Sequence, residues 1–500
     1  MVLTSPSSTS DSTISRRLSS AVPIDLYIGG TWLPSASGRR FPVLDPSTGQ
    51  VIAEVADAGV QDAEDALNAA VDAAAGWAAT PARRRGELLR RAFDLLQQER
   101  DVFARTMTLE MGKPLAEAHG EITYGGEFLR WFSEEAVRIA GRFGANPEGT
   151  GTTIISHTPV GPCFLITPWN FPLAMATRKI APALAAGCTV VIKPAALTPL
   201  TTLLFVELLE RAGLPAGVVN VITSTASAAV SERIIQDPRL RKLSFTGSTE
   251  VGRALIAQSA QNVLRTSMEL GGNAPFLVFE DADVDAAVEG AMLAKFRNIG
   301  QACTAANRFL VHADVVAEFT GKVTERVAAL RVGSGLDHDV SIGPLIDDRA
   351  VAKVAELVAD ATARGARVQV GGHAIDRPGS FFEPTVISEV SPSSRLMTEE
   401  IFGPVLAITS FDNEDHAVRL ANNTEYGLVS YAYTRDLDRA HRLIGALETG
   451  MMGINTGLVS NASAPFGGVK QSGIGKEGGA EGIEEYLASK YTLLKTAVTT

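Results

Sequence analysis

Between residues 163 and 280 short apolar runs alternate with stretches of helical length, and that rhythm restricts the fold more than any other feature. The runs at 163–166, 188–192, 218–222, 242–246 and 276–279 are rich in Val, Ile, Leu and Phe. The stretches 173–186, 201–212, 227–236 and 249–260 between them read as helices. Short strands separated by helices of this length imply βαβ units and a mainly parallel sheet covered on both faces. Ligands of such sheets collect at the carboxyl ends of the strands. Trp169 and Asn170 follow the first run, Lys193 ends the second, and Gly247 and Ser248 end the fourth.

The flanking regions extend the same α/β class. Residues 57–140 read as mostly helical, with Leu88, Leu89, Phe93, Leu95, Leu96 and Phe103 at core-facing helical spacing. A second α/β region covers roughly 275–450, punctuated by Gly371-Gly372 and Gly403-Pro404, and no repeat of fixed period is present. The run from Tyr486 to Leu494 alternates as a strand and needs a partner edge, which another subunit could supply. Residues 1–24 are Ser- and Thr-rich with Arg16-Arg17 and lack a secretory apolar stretch. A disordered tail is one reading; an organelle (mitochondrial) transit peptide is the other, with Asp11 and the lack of an amphipathic pattern against it.

Composition excludes several function classes. The chain has 500 residues, room for about three domains. A net charge of −11 argues against non-specific binding to nucleic acid or anionic membrane. No apolar run approaches the roughly 20 residues that span a bilayer. Three cysteines are too few and too scattered for a disulfide framework or a zinc cluster, so no metal is expected, and a reducing compartment such as the cytoplasm fits. Cys163 and Cys188 lie in apolar runs and read as buried packing.

Cys303 is different. Gly300, Ala302 and Thr304 leave its sulfur accessible, and Arg297 brings positive charge that would favour the reactive thiolate. Glu269 ends a strand-like run before Gly271-Gly272, where a partly desolvated carboxylate can act as a general base; capping a turn is its plainer role. Asn170 is by default a turn residue, and its amide could donate to a developing oxyanion. The turn from Gly247 to Gly252 follows a strand and opens a helix, the setting for a phosphate, although its G-x4-G spacing is equally that of an ordinary strand-to-helix turn.

The motifs taken together resemble the aldehyde dehydrogenase superfamily from about residue 24 to the C-terminus. The matching runs are Pro-Trp-Asn-Phe-Pro (168–172), Lys-Pro-Ala (193–195), Phe-Thr-Gly-Ser-Thr-Glu-Val-Gly (245–252), Glu-Leu-Gly-Gly-Asn-Ala-Pro (269–275), Gly-Gln-Ala-Cys (300–303), Glu-Glu-Ile-Phe-Gly-Pro (399–404) and Pro-Phe-Gly-Gly (465–468). The resemblance implies that Cys303 attacks an aldehyde, Asn170 holds the oxyanion with the Cys303 backbone N–H, and Glu269 activates the water that frees a thioester. It implies that Lys193 binds the cofactor's ribose, Gly247 and Ser248 (with Gly252 in the same turn) its pyrophosphate, and Glu400 with Phe402 its nicotinamide ribose, Trp169 and Leu270 lining the cleft. It further implies an NAD(P)-binding Rossmann-type domain (24–140 and 160–271), an α/β catalytic domain (272–470), a small β oligomerisation element (141–159 and 471–500), and a homodimer or homotetramer.

Within the superfamily the likeness is to succinate-semialdehyde dehydrogenases, in Ala-Met-Ala-Thr-Arg-Lys (174–179), Lys-Phe-Arg-Asn (295–298), Ile-Gly-Pro-Leu-Ile-Asp (342–347) and Gly-Ile-Asn-Thr-Gly-Leu-Val-Ser-Asn (453–461). That likeness implies a semialdehyde substrate whose distal carboxylate meets Arg178, Arg297 and Ser460; the alternative is that both arginines pair with acidic neighbours. Many NAD-specific relatives carry Glu three residues after the lysine, where it repels a 2′-phosphate. Here Ala196 stands there, so NADP is expected, with NAD as a second cofactor. Ala305 replaces a second cysteine found in some relatives, which removes a local disulfide switch. Glutarate semialdehyde or an aromatic aldehyde is the competing substrate, since one methylene discriminates by only about 1–3 kcal/mol. Intact Cys303, Glu269 and Asn170 argue against a catalytically silent relative.

Overall fold

The computed structural model describes residues 22–495. Most of the N-terminal tail, residues 1–21, and the last five residues lie outside this range. The first four apolar runs become neighbouring strands of one sheet, whereas the fifth, 276–279, becomes Ala274–Val278 of a second sheet, and Arg265–Glu269 stands in the first instead. Cys163–Ile166, Val190–Lys193, Val219–Val221, Lys242–Thr246 and Arg265–Glu269 form the parallel centre of an eight-stranded sheet. Leu26–Ile28 and Thr31–Leu33 extend one edge antiparallel, and Gly473–Ile474 the other.

Alternation along the strands explains the layering. Cys163 and Leu165 pack into one apolar cluster, and Phe164 and Ile166 into another on the opposite face. The helix Ala174–Ala186 is buried on every side. A helix enclosed all round should be apolar all round, yet this one carries Arg178 and Lys179 into the interior. Cys163 and Cys188 are both buried, as their apolar settings imply.

A second, seven-stranded sheet runs in the order Arg367–Val370, Thr385–Ser388, Val405–Phe411, Ala306–His312, Ala274–Val278, Val429–Tyr433, Met451–Ile454, parallel except for the first pair. It has its own core around Phe276, Phe309 and Tyr431. The region 57–140 is helical: Val60–Ala79, Ala82–Gln98, Arg100–Met111 and Leu115–Glu135. Leu88, Leu89, Leu96 and Phe103 are buried there, with Phe93 and Leu95 packed at the margin.

The terminal strand Leu487–Leu494 finds its partner within the chain, pairing antiparallel with Thr152–Pro159, which pairs with Arg142–Ala145. The segment after residue 470 is therefore divided between two sheets, because Gly473–Ile474 seals the edge beside Glu269. Among the described residues no helix is long and apolar enough to cross a membrane.

Candidate active site

The carboxyl ends of the first sheet and the loop before Ala306–His312 enclose a cavity of about 470 Å³. Cys303, Glu269 and Asn170 all line it, together with Trp169, Gly247, Ser248, Leu270, Glu400 and Phe402. Residues spread over more than two hundred positions thus meet in one lining.

Cys303 is half-buried after a distorted turn. Asn298, Ile299 and Gly300 have φ of 55°, 62° and 72°. A β-branched residue in this left-handed region costs roughly 1–2 kcal/mol. The loop is held by specific bonds: Asn298 Nδ2 donates to the carbonyls of Asn170 (3.1 Å) and Gln301 (2.9 Å), and Gln301 Oε1 accepts from the Ile346 N–H at 3.0 Å. Burial pushes the Cys303 thiol up to about 12, against the opposing pull of Arg178 and Arg297. This corrects the expectation that nearby positive charge sets the thiol: without a ligand, desolvation outweighs both guanidinium groups.

Asn170 Nδ2 donates one hydrogen to the Gln301 carbonyl at 2.9 Å, which leaves the other for a ligand. Glu269 ends the strand Arg265–Glu269 and is 2% exposed. Among the described residues neither of its carboxylate oxygens has a hydrogen-bond partner. Burial holds its carboxyl well above the usual range, reinforced by Glu477 and opposed by Arg178, Lys179 and Lys476. A desolvated, unpartnered carboxylate beside a thiol is equipped to accept a proton from water.

Ser248 caps the helix Thr249–Ser259, its Oγ accepting from the Val251 N–H at 3.4 Å. The positive end of that helix faces the cavity at Gly247 and Ser248, as a pyrophosphate requires. Gly252 does not line it. A Cβ there would lie 2.4 Å from the Leu270 side chain, so this glycine admits Leu270 instead of a phosphate. Lys193 is buried at its strand end without an ion pair among the described residues, and burial lowers its ammonium to about 8. Ala196 packs at the margin of the first core. Neither Lys193 nor Ala196 is among the residues lining the cavity, although neighbouring Leu197 is. Glu400 accepts from the Gly272 N–H at 3.1 Å and is raised by burial to about 7, while its carbonyl accepts from Lys353 Nζ at 2.7 Å. Phe402 takes φ of 53° and meets Trp169 edge-on at 5.3 Å. An uncompensated cation, an open helix N-terminus and a ribose-competent carboxylate fit a nicotinamide dinucleotide.

Arg297 and Ser460 line a second cavity of about 660 Å³ with Phe171 and Tyr124. Phe171 and Tyr124 also pack with Ala302, next to the thiol. Arg297 stacks over Phe171 at 5.4 Å and makes no ion pair among the described residues. Arg178 lines neither cavity. It is fully enclosed, ion-paired with Glu477 and stacked over Phe466 at 4.1 Å. For this arginine the acidic-neighbour alternative holds, and its expected place against a substrate is corrected accordingly. Sequence reasoning missed Glu477, Lys179 and Lys353; two charges inside the apolar run 174–186 were the available signal for a buried counter-ion.

Comparison with known proteins agrees with this geometry. The model of the aldehyde dehydrogenase family matches residues 32–492. A succinate-semialdehyde dehydrogenase of Paenarthrobacter nicotinovorans is 56% identical over 441 residues, covering 88% of this chain and 98% of the relative. A glutarate-semialdehyde dehydrogenase of Pseudomonas aeruginosa is 49% identical over 468 residues, covering 94% and 97%. The crystal structure of an E. coli NADP-dependent enzyme superposes with a TM-score of 0.94 at 48% identity, covering 96% of this chain and 99% of that one. With a thiol, an amide donor and a buried base gathered in the lining of one cavity, and with the family's pattern running through both sheets, the chain belongs to the aldehyde dehydrogenase family.

Proposed function

We propose that this protein oxidises succinate semialdehyde to succinate, using NADP by preference and NAD as a second cofactor. The observation that carries the reading is the meeting of Cys303, Asn170 and Glu269 in the lining of one cavity. The Cys303 thiolate adds to the aldehyde carbon, and the electron pair of the C=O bond moves to oxygen. Asn170 Nδ2 and the Cys303 backbone N–H donate to that oxyanion, a donor of this kind being worth about 3–4 kcal/mol. Lys193, Gly247, Ser248 and Glu400 are the groups that would hold a nicotinamide dinucleotide, which when bound supplies a hydride acceptor. Cys303 is then left as a thioester. Glu269 takes a proton from water, the hydroxide oxygen adds to the acyl carbon, the C–S bond breaks, and the acid leaves with the thiolate restored.

A carboxylate-bearing substrate is supported by Arg297 and Ser460, which share one cavity; Glu117 lines it too and bears on the guanidinium electrostatically, but among the described residues Arg297 forms no direct ion pair there. Guanidinium pairs with carboxylate in a two-pronged geometry. The 56% identity to a succinate-semialdehyde dehydrogenase supports the four-carbon chain, and absence of a carboxylate at Ala196 supports NADP. The relative that acts on glutarate semialdehyde favours the five-carbon homologue as the second reading. A kcat/KM panel over succinate semialdehyde, glutarate semialdehyde and an uncharged four-carbon aldehyde, each with both cofactors, decides among these. A preference for the uncharged aldehyde would defeat the proposal.

The same reading includes a homodimer or homotetramer. In the three-stranded sheet Phe143 is 79% exposed, and Tyr491, Leu493 and Leu494 stand open beside a free strand edge. Exposed apolar side chains along an unpaired edge call for a cover. Sedimentation equilibrium should return a mass of two or four chains; a monomer would contradict it.

A further inference from the structure

The oxyanion amide of Asn170 is fixed through its main chain by groups that the reaction itself does not use. The helix Arg100–Met111 stops at Gly112, φ 93°, and the next residue, Lys113, points its ammonium into the interior, fully enclosed. Lys113 Nζ pairs with Glu121, donates to the Asn170 carbonyl at 2.9 Å and stands 4.2 Å over the Phe171 ring. The other oxygen of Glu121 accepts from the N–H groups of Leu173 (2.9 Å) and Ala174 (3.0 Å). One ion pair therefore grips both ends of the turn 170–174. From the opposite direction Asn298 Nδ2 donates to the same Asn170 carbonyl at 3.1 Å, so this carbonyl accepts two hydrogen bonds.

We propose that Lys113 and Glu121 are positioning residues for the oxyanion donor, holding the Asn170–Phe171 peptide so that the free hydrogen of Asn170 Nδ2 stays directed at the site of the developing charge. The proposal rests on the reading of Asn170 given above. A donor stabilises a developing charge most when it is in place beforehand, without reorganisation. Small displacements of such a group cost large factors in rate. Lys113 lines neither cavity, and Glu121, which borders the second, has both carboxylate oxygens already engaged by Lys113, Leu173 and Ala174.

The test is a mutant cycle on the full-length enzyme, comparing wild type, Asn170→Ala, the double variant Lys113→Met with Glu121→Met, and all three changes combined. Removing both charges together avoids stranding one of them in the interior. The double variant should lower kcat about tenfold while KM for aldehyde and for NADP changes less than about threefold. Added to Asn170→Ala, it should lower kcat by less than about twofold further, because groups acting through one amide are not additive. Unchanged kcat in the folded double variant, or losses that simply multiply, would overturn the proposal. If the methionine pair does not fold, Glu121→Gln takes its place in the cycle, since it keeps an acceptor for Leu173 and Ala174 and gives up the charge and the acceptor that face Lys113. A fall of about threefold in kcat that vanishes in the Asn170→Ala background supports the assignment, and a fall of the same size in both backgrounds overturns it. Full activity in Asn170→Ala alone would instead refute the role of Asn170, and the positioning role with it.

Discussion

Arg178 and Glu477 form an ion pair sealed inside the protein, the guanidinium fully enclosed and the carboxylate 5% exposed. Lys179 donates to the other oxygen of that carboxylate and pairs with it as well. Glu477 also bears on Glu269, because its negative charge raises the Glu269 carboxyl while Arg178 and Lys179 lower it. In Glu477→Gln the raising charge disappears and both cations lose their counter-ion, so each change acts in the same direction. Glu269 works as a carboxylate, so activity rises with pH as it ionises. The acidic limb of the kcat–pH profile should therefore move to lower pH. A limb that stays in place would remove Glu477 from control of the base. The variant should also unfold at lower temperature, since breaking a buried pair costs about 3–5 kcal/mol.

The Cys303 thiol, pushed up to about 12 by burial, should react slowly in the cofactor-free protein at neutral pH. Its alkylation by iodoacetamide should still be accelerating at about pH 10, above the ordinary thiol range. A plateau near neutrality would show that the thiolate is already stabilised without ligand. Cys303→Ala should lose both the alkylation and all NADPH formation.

Arg297→Ala should raise KM for succinate semialdehyde by about 10–100-fold, as the loss of a charged hydrogen-bonded pair implies. The uncharged four-carbon aldehyde should be spared, and Ser460→Ala should show the same selectivity more weakly. Arg178→Ala should differ in kind: a lower melting temperature and similar losses on both aldehydes, because its partner is Glu477. Equal effects of Arg297→Ala on both substrates would take Arg297 out of the substrate cavity.

Ala196→Glu should depress kcat/KM for NADP at least about tenfold and leave NAD the better cofactor, since a carboxylate there would face a 2′-phosphate with like charge. Unchanged discrimination between the two cofactors would place the specificity elsewhere.

Cys303, Glu269 and Asn170 were legible in the sequence because each sits in a short motif at a strand end or in a loop, where side chains are free of the core pattern. Four of the five central strands were legible for the opposite reason: Leu165 and Phe164 face two cores, so the run is apolar throughout. What escaped depended on distant pairings. Arg178 looked available to a substrate until Glu477 arrived from the far end of the chain. Lys113 carried no local signal, although Asn170, 57 positions away, takes its hydrogen bond. Gly252 had the spacing of a phosphate turn and serves Leu270 instead. Local pattern carries no record of such partners.

The antiparallel pairing of Glu269 with Gly473 has a bearing on biosynthesis. The base is encoded near the middle of the message, but its strand acquires its second neighbour, and Arg178 and Lys179 their anion, only when residues 473–477 emerge from the ribosome. Two cations that bear on the base thus wait for their anion until synthesis is nearly complete, long after the nucleophile has been made.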